Sequence, residues 1–90
     1  MKILVDADSC PVPARTLALR TAIKRNIEII FAANRLIPGI KGPGVLMELC
    51  PLEPGAADDR IAALAQPGDL ALTRDMPLAS RLVDRGVLVL

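Results

Sequence analysis

The sequence predicts an α/β fold with a mainly parallel sheet covered on both faces, and three observations lead there. Five short apolar runs recur along the chain without polar alternation, as strands buried on both faces do. Three segments of helical length fall between most of them, and strand–helix alternation is the signature of a parallel sheet with helices packed on it. Ninety residues, 52% of them hydrophobic, suffice for one domain over 1–90. Phe31 is its one aromatic residue, so the core must be built from Leu, Ile, Val and Ala.

Residues 2–6 (KILVD) form the first predicted strand. A helix is predicted over 13–25, where Leu17, Ala18, Ala22 and Ile23 recur near helical spacing and Arg15, Arg20, Lys24 and Arg25 fill much of the remainder. Residues 27–33 are continuous and rich in β-branched side chains, a second strand, and 45–50 a third. Between them RLIPGIKGPG, with three glycines and two prolines, makes an irregular connection rather than a helix. Small and acidic residues open a helix over 56–65. Residues 70–73 are a fourth strand, 77–85 a helix stopped by Gly86, and 87–90 a fifth strand. The chain ends at Leu90 inside an apolar strand with no covering element after it. A further segment, or a homo-oligomer formed through this last strand, is the expected cover.

Charge and composition restrict the function. A net charge of +1 provides no strong field for nucleic acid. With no histidine, His-based zinc sites and His-activated nucleophiles are excluded. Neither a secretory leader in MKILVD nor a run of about 18 apolar residues is present, so a cytoplasmic setting with no membrane partner is expected, with Cys10 and Cys50 as thiols. Cys10 lies near a helix start but among carboxylates, and Cys50 at a strand end; packing roles are expected for both.

The acids carry the chemistry. In VDADSCPVPAR, Asp6 and Asp8 are two apart, so an extended chain aims both beyond the strand tip. In open parallel sheets ligands bind outside the carboxyl ends of the strands. Asp6 and Asp8 follow the first strand, Asn34 the second, Glu53 the third with Asp58 and Asp59 at the next helix start, and Thr73 and Asp75 the fourth. Six of the ten acids thus fall on one rim, an all-oxygen donor set suited to Mg²⁺ or Mn²⁺. Competing structural roles exist: Asp58, Asp59 and Asp75 stand where helix caps are placed, and Asp69 follows Pro-Gly as a turn residue. Asp6 has no capping task. Since the winding direction is expected to reverse after the third strand, Asp6 and Asp75 should lie side by side.

VDADSCPV near the start, AAN at 32–34, AADDRI at 56–61 and GDLALTRDMPLA at 68–79 together resemble the YaiI/YqxD family of small bacterial proteins, which is related to PIN-domain-like folds. The resemblance runs in order along the whole chain. It implies a three-layer α/β/α sandwich of PIN-like type and, through the metal-dependent ribonucleases among PIN-like proteins, metal ligands at Asp6, Asp8, Asp58 and Asp75. The chain departs from the family pattern at Gly55, where an Asp is common, and at Arg60, where a Trp is common. It also lacks the Asn-Pro-Arg-Gly segment past which the family usually continues.

Three functions compete. A Mg²⁺- or Mn²⁺-dependent nuclease acting on RNA phosphodiesters would use Asp6, Asp75 and Thr73 as its catalytic set, with Arg35, Lys41 and Arg74 holding the nucleic-acid backbone. A non-catalytic module would instead bind metal, RNA or a partner protein. Phosphoryl transfer with Asp6 as nucleophile is disfavoured, because no lysine stands after the fourth or fifth strand.

Overall fold

The computed structural model describes all 90 residues. Its strands are β1 (Ile3–Asp6), β2 (Ile29–Ala33), β3 (Val45–Leu49), β4 (Leu70–Leu72) and β5 (Leu88–Val89). Its helices are α1 (Val12–Arg25), α2 (Ala56–Leu64) and α3 (Met76–Val83), with a 3₁₀ turn at Ala7–Ser9. All five strands are parallel, in the order β3-β2-β1-β4-β5. The chain winds outward from β1 through β2 to β3, then returns to lay β4 against the free side of β1. The α/β/α sandwich and the parallel sheet are as the sequence predicts.

The central strands are apolar throughout because both their faces are covered. Alternate side chains separate into two cores. Leu4, Ile30, Ala32 and Ala71 pack beneath Ile61 and Ala62 of α2 and Leu78 and Leu82 of α3. Ile3, Val5, Ile29, Phe31 and Ala33 pack beneath α1, which approaches through Ala18 and Ala22. These two alanines are the buried residues of α1; Leu17 and Ile23, equally apolar, stay exposed on its flanks. Small side chains let the helix sit close, and closeness leaves no room for larger ones.

Element ends differ from the sequence prediction by a residue or two, for identifiable reasons. α1 ends on Asn26 in the left-handed conformation (φ 56°), and the amides of Asn26 and Ile27 donate to the carbonyls of Ile23 and Ala22. Ile27 is therefore spent on the cap, and β2 starts at Ile29. Residues 34–44 must run back the length of the sheet, since β2 and β3 are parallel. They do so without a helix, anchored by buried Ile37. Gly42 packs so closely on α1 that a Cβ would stand 2.9 Å from the Ile23 Cδ1 atom.

Asp69, expected to be a turn residue only, fastens the amino ends of β1 and β4. It accepts from the Lys2 amide (3.1 Å), the Lys2 ammonium (2.6 Å) and the Gln66 amide (2.9 Å). Burial alone would raise its pKa, but these donors outweigh burial and hold it below 3.8. Its folded pKa lies under its unfolded one, so its contribution is complete above about pH 4 and is lost as pH falls through the folded value. Asp69→Asn should lower stability by about 1–3 kcal/mol near neutral pH. The loss should shrink in acid, as pH falls through the folded pKa and the wild-type carboxylate itself takes up a proton. Denaturant melts at neutral and at acid pH check this; equal losses would contradict the ionic role.

Candidate functional site

The reversal of winding sets Asp6, the last residue of β1, beside the residue that follows β4. Val5 is in register with Leu72, so Asp6 meets Thr73. The buried Thr73 hydroxyl donates to Asp6 Oδ2 at 2.8 Å and accepts the Asp75 amide at 3.0 Å. Asp75 then caps α3, its Oδ1 accepting from the Leu78 amide at 2.9 Å. Asp75 thus holds the capping role as well as a place at the rim.

Asp58 comes from the first turn of α2 but does not cap it. The cap position is Gly55, at φ 79°, with no side-chain bond to the helix. The Asp58 carboxyl is half-buried, and its pKa is pushed up to about 6. Burial is the leading cause; the charges of Asp6 and Asp75 and a hydrogen bond with Asp75 add to it, and Arg81 partly offsets them. The Asp6 carboxyl, 3% exposed, is also held above 3.8. Burial comes first there too, opposed by the Thr73 bond and reinforced by Asp75 and Asp8. Asp6, Asp58 and Asp75 thus act on one another electrostatically, across 69 positions of sequence from first to last.

These acids border a cleft of about 230 Å³ that Asp8, Ser9, Asn34, Glu53 and the 51–57 segment complete. Asp8 reaches it by a route different from an extended Asp-x-Asp. The chain tightens into the 3₁₀ turn, Ala7 is buried, and Asp8 swings to the lip. There its Oδ2 accepts the Asn34 amide at 2.9 Å, and Oδ1 lies 3.8 Å from the Arg35 guanidinium. Asp59 points outward and pairs with Arg81 at 3.0 Å.

The three basic residues expected to hold nucleic acid do not converge. Arg35 faces Asp8 at the lip. Arg74 donates its amide to the Ser9 carbonyl and borders an apolar groove on the α1 side. Lys41 adjoins Gly42 at the amino end of β3, whereas the cleft lies at the carboxyl ends of the strands. No Lys or Arg lines the cleft. Arg81 is the cation the sequence reading missed: it tempers Asp58 from the next helix, and nothing local in the sequence signals that α2 and α3 adjoin. The cysteines are free thiols, Cys50 buried in the core and Cys10 half-buried.

No three acidic or cysteine side chains stand close enough together to be a ready-made metal cage. The donor set nevertheless fits Mg²⁺ or Mn²⁺. Its atoms are all carboxylate oxygen, and Mg²⁺ keeps several waters and needs only one or two protein carboxylates. Zinc, which takes three or four close protein ligands with cysteine or histidine dominant, does not fit.

The fold and the cleft define a class: a parallel α/β domain with an acidic cleft where its winding reverses. Within that class the chain belongs to the YaiI/YqxD family, whose model, described as "Uncharacterized BCR, YaiI/YqxD family", matches residues 4–90. It is 44% identical over 90 residues to a UPF0178 protein of Psychrobacter cryohalolentis, covering all of this chain and 60% of that one. A UPF0178 protein of Treponema denticola is 47% identical over the same length, with 57% of it covered, and one of Pseudomonas aeruginosa is 41% identical over 92 residues, with 56% covered. The chain therefore spans less than two thirds of the length of these curated relatives. No solved structure matches it. No helix is long and apolar enough to cross a membrane.

The raised carboxyls make a testable statement about stability. Asp58 ionises near 4 when unfolded but near 6 when folded, so between these values the native state holds a proton the unfolded chain has lost. The contribution of this group is present below about pH 4 and is lost as pH rises to about 6. Asp58→Asn should flatten the fall in melting temperature between about pH 4 and 6. An unchanged slope would contradict a raised Asp58 carboxyl.

Proposed function

We propose that the cleft binds Mg²⁺ or Mn²⁺ between Asp6, Asp58 and Asp75 and serves hydrolysis of RNA phosphodiesters. The observation that carries this reading is the gathering of three mutually repelling carboxylates from three separate segments. Burying such charges together is costly, and no protein cation lining the cleft offsets the cost. An anionic phosphate would be repelled from the bare cleft, so a phosphodiester substrate requires a bound cation. When bound, that cation supplies charge neutralisation and an acidified water.

The residues of the chain do the rest. The Thr73 hydroxyl fixes one oxygen of Asp6 and leaves Oδ1 free to turn toward the cleft. Asp75 gives one oxygen to the Leu78 amide, which locks its rotamer, and shares a hydrogen bond with Asp58 at the cleft. In the bare cleft the Asp58 carboxyl, pushed up to about 6, keeps its proton to higher pH than an exposed aspartate, and it would ionise to join Asp6 and Asp75 in holding the cation. Asp8 shapes the lip with Asn34 and Arg35. The PIN-like resemblance supports this reading, since PIN-like ribonucleases carry their acids at strand tips.

Mn²⁺ at a concentration well above its Kd should raise the melting temperature, because a ligand bound only by the native state stabilises it; 100-fold excess over Kd is worth about 2.7 kcal/mol. Asp6→Asn retains an acceptor for Thr73, so without metal it should melt no lower than wild type, yet lose most of the Mn²⁺-induced rise. A structural Asp6 gives the opposite, a drop of about 1–3 kcal/mol with or without metal. Cleavage of single-stranded RNA that needs Mn²⁺ and disappears in Asp75→Asn is the expected activity. Metal binding without cleavage would leave a non-catalytic binding module.

Gly55 offers a second handle. It stands in the cleft wall in the left-handed conformation, and a Cβ there would meet nothing within 4 Å. Gly55→Asp should cost about 1 kcal/mol in backbone strain, while enlarging the Mn²⁺-induced rise through a fourth carboxylate at the cleft. Melting curves with and without Mn²⁺ read both effects.

A further inference from the structure

The two faces of the sheet are covered unequally. α2 and α3 share one face, but α1 alone lies on the other, over β1 and β2. Residues 34–44 extend that cover toward β3 through Ile37 and Ile40. Nothing covers β4 and β5 on this side. By register and alternation, Leu70 and Leu88 face the same way as Ile3, and Leu72 and Leu90 the same way as Val5. Leu88 and Leu90 are 67% and 73% exposed, and Leu17 on the flank of α1 is 66% exposed. Between this strip and α1 runs a groove of about 490 Å³ whose walls are nearly all apolar.

The groove has the size of a small-molecule pocket but lacks the few convergent polar groups that orient a small molecule. Continuous apolar surface of this kind marks a place where chain packs against chain. Two-fifths of the Psychrobacter cryohalolentis relative lies outside the matched ninety residues, enough for a helix or more. Leu90 is itself part of the groove wall, so a segment joined there enters the groove with no linker. Arg74 lines the groove, and Arg15 lies near enough to Cys10, another lining residue, to act on it electrostatically.

We propose that the groove between α1 and the β4–β5 strip seats an amphipathic segment of the chain by which the relatives exceed these ninety residues. Its apolar stripe lies on Leu17, Leu70, Leu72 and Leu90, and its acidic flank meets Arg15 and Arg74. The seated segment completes the second helical layer. The proposal stands independently of the chemistry assigned to the acidic cleft.

The test uses the ninety-residue chain as it stands, with the unmatched portion of the Psychrobacter cryohalolentis protein added in trans. Cys10 lines the groove and is half-buried, while Cys50 is buried in the opposite core and serves as the internal reference. Alkylation of Cys10 by N-ethylmaleimide should slow by about tenfold or more at saturating segment. Leu17→Glu should abolish the protection, and Leu46→Glu, at a comparably exposed leucine on the far edge strand, should leave it intact. Both leucines are exposed, so both variants should keep the wild-type circular dichroism and melting curve. Protection that survives Leu17→Glu, or no protection at all, overturns the proposal. So does dimerisation of the chain alone in sedimentation equilibrium that Leu17→Glu breaks and the segment does not displace, because the groove would then belong to a second copy.

Discussion

The pairing of β4 against β1 is the constraint from which the rest of the structure follows. It reverses the winding of the sheet, so two strands adjoin although more than sixty residues separate them. An aspartate closes the seam at each end. Asp69 binds Lys2 at the amino end, and Asp6 binds Thr73 at the carboxyl end. Backbone bonds such as Leu70 to Lys2 fill the interval. Because parallel strands hydrogen-bond in one register, fixing either end brings Asp6 and Asp75 to the same rim.

The two aspartates are equally buried and electrostatically opposite. Asp69 is surrounded by donors, one of them a full positive charge, and its carboxylate is stabilised. Asp6 has one hydroxyl donor and faces other acids, so its ionised form is disfavoured. A compensated buried charge fastens a fold; an uncompensated one stores unfavourable energy that a cation can release. The chain family shows in both ends of the seam, since the GDLALTRDMPLA stretch contributes Asp69 to one and Thr73 and Asp75 to the other.

Cleft and groove are neighbours. Ser9 borders both, and Thr73, whose hydroxyl holds Asp6, lines the groove on the other side of that bond. The 3₁₀ turn and the start of β4's exit loop, joined by the bond from the Arg74 amide to the Ser9 carbonyl, form the partition. Whatever packs into the groove therefore bears on the wall that positions Asp6. The packing surface on one face of the sheet and the charge at its tip thus share two short loops.

The sequence by itself determined the class of fold and most of the rim. Unbroken apolar runs mark strands buried on both faces, and residues at the carboxyl ends of parallel strands must share one edge; Asp6, Asp58, Thr73 and Asp75 were legible for that reason. Strand ends were less so, because a cap such as Asn26 consumes residues that look like strand. Tertiary structure alone decided the partners. Which acid is neutralised depends on where Lys2 and Arg81 arrive from elsewhere in the chain, and sequence proximity says nothing of that. The dispersal of Arg35, Lys41 and Arg74 has the same cause: a loop joining parallel strands must cross the whole sheet, which carries Lys41 to its far end. Apolar residues also look alike in sequence, so only packing shows that Ala18 and Ala22 meet the sheet while Leu17 stands beside an open groove.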